Sequence, residues 1–211
     1  MKTENFSKTK IKICGLRRRE DILAVNETNP DYCGFIVGFP KSFRSVTADE
    51  VRELVKNLSP EIQPVGVFVN ASIELVRSLL DDGTLAMAQL HGQENESYIT
   101  ELKAHTDKPV IKAFSIKTAD DMENALQSLA DYILLDQGSG GTGKTFDWSL
   151  IPKIERPFFL AGGIGEENLE QALREIHPFA VDLSSSVETE KWKDPEKIRR
   201  VVDIVRKAVQ D

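Results

Sequence analysis

Cysteine is scarce in this chain: Cys14 and Cys33 are the only two among 211 residues, with no Cys-x-x-Cys spacing and no cluster of the three histidines beside them. That scarcity excludes a disulfide framework and a zinc-ligand set, and it fits a reducing cytoplasm. Long apolar runs are also missing; nothing approaches the roughly 20 consecutive residues that cross a bilayer. Met1 to Lys10 are polar and include Glu4, so they lack the apolar segment of a signal peptide. Positive charge is in deficit, 27 Lys and Arg against 34 Asp and Glu, for a formal net charge of −7. This balance speaks against nucleic acid and anionic membranes as partners. No low-complexity tract, linker or break in composition divides the chain. With 40% hydrophobic residues, the expectation is one domain over residues 10–211, a loose extension over residues 1–9, and a soluble cytoplasmic protein.

What is present includes a misleading motif. Residues 138 to 145, Gly-Ser-Gly-Gly-Thr-Gly-Lys-Thr, satisfy the nucleotide-binding pattern G-x-x-x-x-G-K-[ST] and follow the apolar run Tyr132-Ile133-Leu134-Leu135. A phosphate-cradling loop of that class needs a helix starting at its Lys-Thr, so that backbone N–H groups and the helix dipole face the phosphates. Here Lys144-Thr145 leads through Phe146 and Trp148 to Pro152, which leaves room for roughly two turns. Asp136 adds a carboxylate beside the supposed phosphate seat. The motif is therefore set aside, with a nucleotide-binding protein using 138–145 kept as the alternative.

Eight short apolar runs have the character of strands: 12–14, 32–37, 64–69, 85–90, 110–114, 132–135, 158–161 and 180–183. Amphipathic segments with readable ends lie between most of them. Thr47 with Glu50, and Thr118 with Asp121, form capping boxes, while Ser72 and Asp194-Pro195 open two more helices. The apolar stripes include Val51, Leu54, Val55 and Leu58, then Ile73, Val76 and Leu80. Further along come Met122, Ala125, Leu126 and Leu129, and finally Ile198, Val201, Val202, Val205 and Ala208. Gly83 is a natural stop. Eight such alternations in about 200 residues predict a single (β/α)8 TIM barrel with a shortened or irregular sixth crossover. An open doubly wound sheet would give the same alternation.

In a barrel, chemistry gathers where strands end in their βα-loops. Those ends supply Cys14-Gly15, the loop with Arg44, Gln89-Leu90-His91-Gly92, Asp136, Gly162-Gly163 and Ser184-Ser185-Ser186. This is a thiol, a guanidinium, an imidazole, a carboxylate and two small-residue turns, with no metal-ligand constellation and no cofactor motif. It suits proton transfer on a phosphorylated small molecule, with the last two turns in the usual phosphate position of a barrel. Period-two counting puts Lys12 on the face of Cys14, and Asp182 on the face of Ser184. The first and eighth strands are neighbours, so Lys12 and Asp182 are expected to pair inside the barrel.

The same residues resemble the phosphoribosylanthranilate isomerase family of tryptophan biosynthesis. The likeness lies in Lys12 to Leu16 with Arg19-Glu20-Asp21, in Gly34-Phe35 with Ser42 to Val46, and in Gln89 to Gly92. It continues in Leu135-Asp136 with Gly141 to Trp148, in Leu160 to Ile164, and in Val181 to Ser185. It spans about residue 11 to the end of the chain, and it accounts for the misleading Gly-rich loop. The resemblance implies an Amadori rearrangement of N-(5-phosphoribosyl)anthranilate, with Cys14 matching the general base and Asp136 the general acid. A free thiol, with a pKa of about 8.5, is ionised only to a few per cent near neutrality, and a cationic neighbour would raise that share. Asp136 must carry a proton to donate it, which burial favours. Arg44 matches the arginine that binds the anthranilate carboxylate. Gly162, Gly163, Ser184, Ser185 and Ser186 match the phosphate seat. His91 is a candidate substrate contact that could equally satisfy its own loop, and Cys33 reads as core.

Three departures from the family pattern stand out: Ser186 where Gly is usual, Phe43 where Pro is common, and a Gly-free turn at 189–194. They bear on the phosphate loop more than on the reaction. The histidine-pathway isomerase, which performs the same rearrangement in the same kind of barrel, is the nearest rival; it carries Asp where this chain has Cys14. Monomer and homodimer are both compatible with the sequence.

Overall fold

The computed structural model describes residues 8–136 and 148–208, so the Gly-rich segment 138–145 and most of the N-terminal extension lie outside the described residues. Among the described residues, eight parallel strands build the frame. They are β1 (Lys10–Cys14), β2 (Tyr32–Val37), β3 (Gln63–Phe68), β4 (Met87–Leu90), β5 (Val110–Ser115), β6 (Tyr132–Asp136), β7 (Phe158–Leu160) and β8 (Ala180–Leu183). Each pairs with its neighbours in chain order, and β1 pairs with both β2 and β8, so the sheet closes on itself. This is the (β/α)8 barrel, and closure eliminates the open doubly wound sheet.

The helices are α1 (Arg19–Thr28), α2 (Ala48–Val55), α3 (Ile73–Asp81), α4 (Glu96–Lys103), α5 (Ala119–Gln127), α6 (Leu169–Ile176) and α7 (Pro195–Lys207). Their starts follow from side chains that satisfy orphan N–H groups. The Glu50 N–H donates to Thr47 Oγ1 at 3.2 Å, and Glu50 Oε2 accepts from the Thr47 N–H at 2.7 Å. Asp121 and Thr118 repeat this arrangement in α5, and Asp194 accepts from the N–H groups of Glu196 and Lys197 in α7. Two residues depart from the predicted stripes: Ala208, exposed at the C-cap of α7, and Leu129. Leu129 is 57% exposed, because α5 stops at Gln127 and the chain has turned away by that point. In the described part of the sixth crossover, Trp148–Leu150 make a single 3-10 turn, and the chain stays irregular through Pro152 and Pro157 to β7.

Alternation along each strand separates two apolar layers. Outward residues such as Ile11, Ile13, Leu90 and Leu135 meet the helix stripes, while Val65, Met87, Ile111, Leu134 and Phe159 fill the barrel interior. Tyr32, Tyr132, Phe159 and Phe179 stack at the amino end with ring centroids 5.0–5.7 Å apart, and the Lys10 ammonium lies over two of them. This aromatic plug closes the floor. Above the apolar layers, polar side chains of Lys12, Gln89 and Asp182 are buried. No helix among the described residues is long and apolar enough to cross a membrane.

The register sets Lys12 opposite Asp182, and Lys12 Nζ donates to Asp182 Oδ2 at 2.9 Å, as alternation on the two strands required. The ammonium is wholly enclosed. Removing one partner of such a pair typically costs about 3–5 kcal/mol, whereas replacing both with apolar groups is often nearly neutral. Lys12→Met is accordingly expected to lose stability in urea unfolding by about that amount, and Lys12→Met/Asp182→Leu to recover most of it. A single variant as stable as the parent would show that the pair is not held against a dry interior.

Candidate active site

At the carboxyl ends of the strands the barrel opens into a cavity of about 460 Å³. Its wall includes Cys14 at the end of β1, Arg44 from the loop after β2, His91 after β4 and Asp136 at the end of β6. Gly162 and Gly163 follow β7, and Ser184, Ser185 and Ser186 follow β8. Every candidate taken from the strand ends therefore faces one space. A second cavity of about 470 Å³ opens between β4 and β5 and shares the His91–Asp136 wall.

Cys14 is 7% exposed, at the cavity wall. Burial pushes its thiol above the ordinary range, while the nearby ammonium groups of Lys12 and Lys193 pull the other way. The cationic neighbours are thus present, but burial outweighs them. Cys33, also buried, has burial as its largest perturbation and lies in the layer between sheet and helices. Its reading as core stands.

Arg44 is held by a carboxylate that sequence reading did not single out. Its Nε and Nη2 donate to the two oxygens of Glu188, each at 2.7 Å, in a planar two-pronged pair. Lys193 Nζ donates to the same carboxylate at 2.8 Å and to the Ser184 carbonyl at 2.9 Å. Burial alone would raise the Glu188 pKa, but Arg44 and Lys193 overcome it and hold the carboxyl below its usual range. The one available signal was position: Glu188 follows the Ser-rich turn by two residues. Burial of Lys193 has no signature in the sequence.

On the opposite wall, the Gln89 side-chain amide and His91 Nδ1 are hydrogen-bonded at 2.9 Å, which orients the ring so that Nε2 faces Asp136. That nitrogen lies 3.5 Å from Asp136 Oδ2. The loop behind them is fixed by Glu94, which accepts from the N–H groups of Asn70 and Gly92 and from Lys112 Nζ. Glu94 and Lys112 went unremarked in the sequence because the strand pattern around Lys112 is otherwise apolar.

Gly162 and Gly163 adopt φ of +79° and +72°, a region open to glycine at little cost. The Asn168 side chain braces this turn by donating to the Gly163 carbonyl and accepting from the Gly165 N–H, both at 2.9 Å. Ser185–Val187 form a 3-10 turn in which Ser186 stays at negative φ, so its side chain is accepted without strain. Positive φ occurs instead at Glu190 and Lys191, the tip of a small hairpin pairing Glu188–Thr189 with Trp192–Lys193. Such a tip requires positive φ at both residues and costs non-glycine side chains of order 1 kcal/mol each. Arg17 compensates: it donates to the carbonyls of Lys191 and Phe43 and stacks 3.8 Å from the Trp192 ring. Two of the departures, Phe43 and the Gly-free turn, are thus parts of one contact. Among the described residues, no group of three or more His, Cys, Asp or Glu is placed to hold a metal ion.

Residues 11–204 match the family model described as N-(5'phosphoribosyl)anthranilate (PRA) isomerase. The chain is 45% identical to N-(5'-phosphoribosyl)anthranilate isomerase of Endomicrobium trichonymphae, over 93% of this chain and 98% of that one. Its fold superposes on the crystal structure of phosphoribosyl anthranilate isomerase from Thermotoga maritima with a TM-score of 0.84 at 36% identity, covering 94% of this chain and 99% of the other. A similar isomerase was crystallised with reduced 1-(o-carboxyphenylamino)-1-deoxyribulose 5-phosphate; it matches with a TM-score of 0.82 at 34% identity, over 94% of this chain and 99% of that one.

The depressed carboxyl of Glu188 has a consequence for acid stability. A carboxylate that titrates lower in the folded than in the unfolded state stabilises the fold above the unfolded value, about 4.3, and loses that contribution as pH falls through the folded value. Glu188→Gln is expected to flatten the decline of unfolding free energy below about pH 4.3. An unchanged acid limb in urea titrations across this range would contradict the assignment.

Proposed function

The chain belongs to the N-(5'-phosphoribosyl)anthranilate isomerase family, and we propose that Cys14 and Asp136 carry the proton transfers of the isomerisation it catalyses. The reaction converts N-(5'-phosphoribosyl)anthranilate into 1-(2-carboxyphenylamino)-1-deoxyribulose 5-phosphate in tryptophan biosynthesis. The observation that carries the residue assignment is convergence. A thiol from β1 and a carboxyl from β6 face one cavity whose remaining walls offer a cation on one side and two small-residue turns on the other.

In this reading Asp136 gives its proton to the ribose ring oxygen as the C1′–O4′ bond breaks, and the nitrogen lone pair closes to a C1′=N iminium. The Cys14 thiolate then takes the C2′ proton. The C–H electron pair becomes the C1′=C2′ bond, and the iminium electrons return to nitrogen. The resulting enolamine loses its C2′ hydroxyl proton to Asp136 and receives a proton at C1′ from Cys14. Both groups return to their starting states, and the product is an isomer of the substrate. Each proton-transfer group is typically worth about 10² to 10⁴ in rate.

The rest of the wall binds. Arg44, oriented by Glu188, uses the remaining edge of its guanidinium for the anthranilate carboxylate. Backbone N–H groups around Gly162-Gly163 and Ser184-Ser185-Ser186 hold the phosphate. His91, oriented by Gln89, turns Nε2 toward the Asp136 carboxylate at 3.5 Å and steadies it between its two transfers. The nucleotide-binding alternative has no support: from Trp148 the chain makes one 3-10 turn and no α-helix before β7.

Cys14→Ser and Asp136→Asn are each expected to lower turnover at least about a hundredfold, followed by the loss of substrate fluorescence, while product-analogue affinity stays within about tenfold. Near-parental turnover in either variant would remove that residue from the mechanism. Because burial has pushed the Cys14 thiol up, its ionised fraction is small at neutrality and grows with pH. The expected kcat/KM therefore climbs above neutral pH, and the climb vanishes in Cys14→Ser; a flat parental profile would exclude the thiolate as base. Ser186→Gly should move KM only a few-fold and leave kcat nearly intact, since the serine already sits at negative φ. A large drop in kcat would mean that the serine hydroxyl takes part in the chemistry.

A further inference from the structure

We propose that Lys12 is the positioning residue that governs the proton on Cys14, with Asp182 orienting its ammonium and Gly34 providing the space in which ammonium and sulfur meet. The proposal rests on Cys14 being the base and adds what controls that base.

The geometry comes from three adjacent strands. Register places Lys12 opposite Asp182 on β8 and Cys14 opposite Gly34 on β2. Lys12 and Cys14, two residues apart on β1, point to the same side of the sheet. Gly34 is not among the residues at positive φ, so backbone conformation does not explain a glycine there. Space does. A Cβ at position 34 would lie 2.7 Å from Cys14 Sγ, 3.1 Å from Lys12 Nζ and 3.2 Å from Cys14 Cα. The thiol and the ammonium thus crowd against the same bare stretch of β2.

Two lysines lie near the thiol, and their bonding separates their roles. Lys193 Nζ donates to the Ser184 carbonyl, to Glu188 Oε1 and, at 3.5 Å, to Ser184 Oγ, which occupies its three protons. Among the described residues Lys12 Nζ donates to a single oxygen, Asp182 Oδ2, leaving protons for the sulfur. Among the described residues the Asp182 carboxylate also acts on Cys14 and opposes its ionisation, while the Cys33 thiol on β2 lies on the other face of the sheet. Burial works against the Lys12 charge, but Asp182 and Cys14 outweigh it, so the ammonium keeps its proton. A thiolate formed at Cys14 is then met at once by a fixed, dry cation. An opposite charge within about 4–6 Å typically moves a pKa by 1–3 units.

The test titrates the thiol itself in a Cys33→Ala background, through the pH dependence of Cys14 alkylation by iodoacetamide, alongside kcat/KM. In folded Lys12→Met the thiol inflection should move up by about 1–3 pH units, and the rising limb of kcat/KM should move with it. If Lys12→Met does not fold because Asp182 is left unpaired, Lys12→Met/Asp182→Asn removes both charges and should show a smaller shift of the same sign. A folded variant whose thiol titrates where the parent's does would overturn the proposal and leave Lys12 as a structural counterion. The titration is independent of turnover. If Cys14→Ser kept full activity while Lys12→Met still shifted the thiol, the assignment of the base would fail and the coupling would stand.

Discussion

A single ammonium, Lys12, sits where the barrel closes, and much of the molecule is arranged around it. It is fully enclosed, bonded to Asp182 across the β1–β8 seam, and crowded against the Cys14 thiol and the bare backbone of Gly34. A buried charge is tolerated only when paired, so the pair penalises any slip in the register of those two strands. The same contact fixes the height of the thiol above the apolar layers. With the aromatic plug of Tyr32, Tyr132, Phe159 and Phe179 sealing the other end, ligand access is from the carboxyl side, where the thiol, the imidazole and the Asp136 carboxylate are gathered.

Around the mouth, charge is distributed so that binding groups stay positive while being held in place. Arg44 and Lys193 share one carboxylate, Glu188, which leaves one net positive charge in the group. An anionic aryl carboxylate therefore meets a guanidinium already oriented, and less entropy is lost on binding than with a free arginine. The hairpin that presents Glu188 and Lys193 is strained at Glu190 and Lys191, and Arg17 ties its tip to Phe43 beside Arg44. Loops after β1, β2 and β8 are in this way linked through one side chain.

The frame of the barrel was legible in the sequence because its signals are local. Alternation marked the strands, and Thr47, Ser72, Thr118 and Asp194 marked helix starts through hydrogen bonds that span three residues or fewer. The Lys12–Asp182 pair was legible too, since face and neighbouring strand were enough to bring the two together. Leu129 was misplaced because its spacing suits a helix that has already ended. Glu188 was not legible because its partner Arg44 comes from a distant loop, and a buried lysine such as Lys193 looks like any other lysine; the Gln89–His91 contact is local, but nothing in the sequence marks it. Gly34 stood in a quoted motif, yet its reason is the space taken by two side chains from another strand.

The most direct test of the account is a crystal structure with the reduced form of the product bound. The phosphate is expected against the backbone of Gly162-Gly163 and Ser184 to Ser186. The aryl carboxylate would lie on Arg44, and C1′ and C2′ between Cys14 and Asp136. A phosphate seated instead in the Gly-rich segment 138–145, with the later two loops empty and Cys14 remote from C2′, would contradict it.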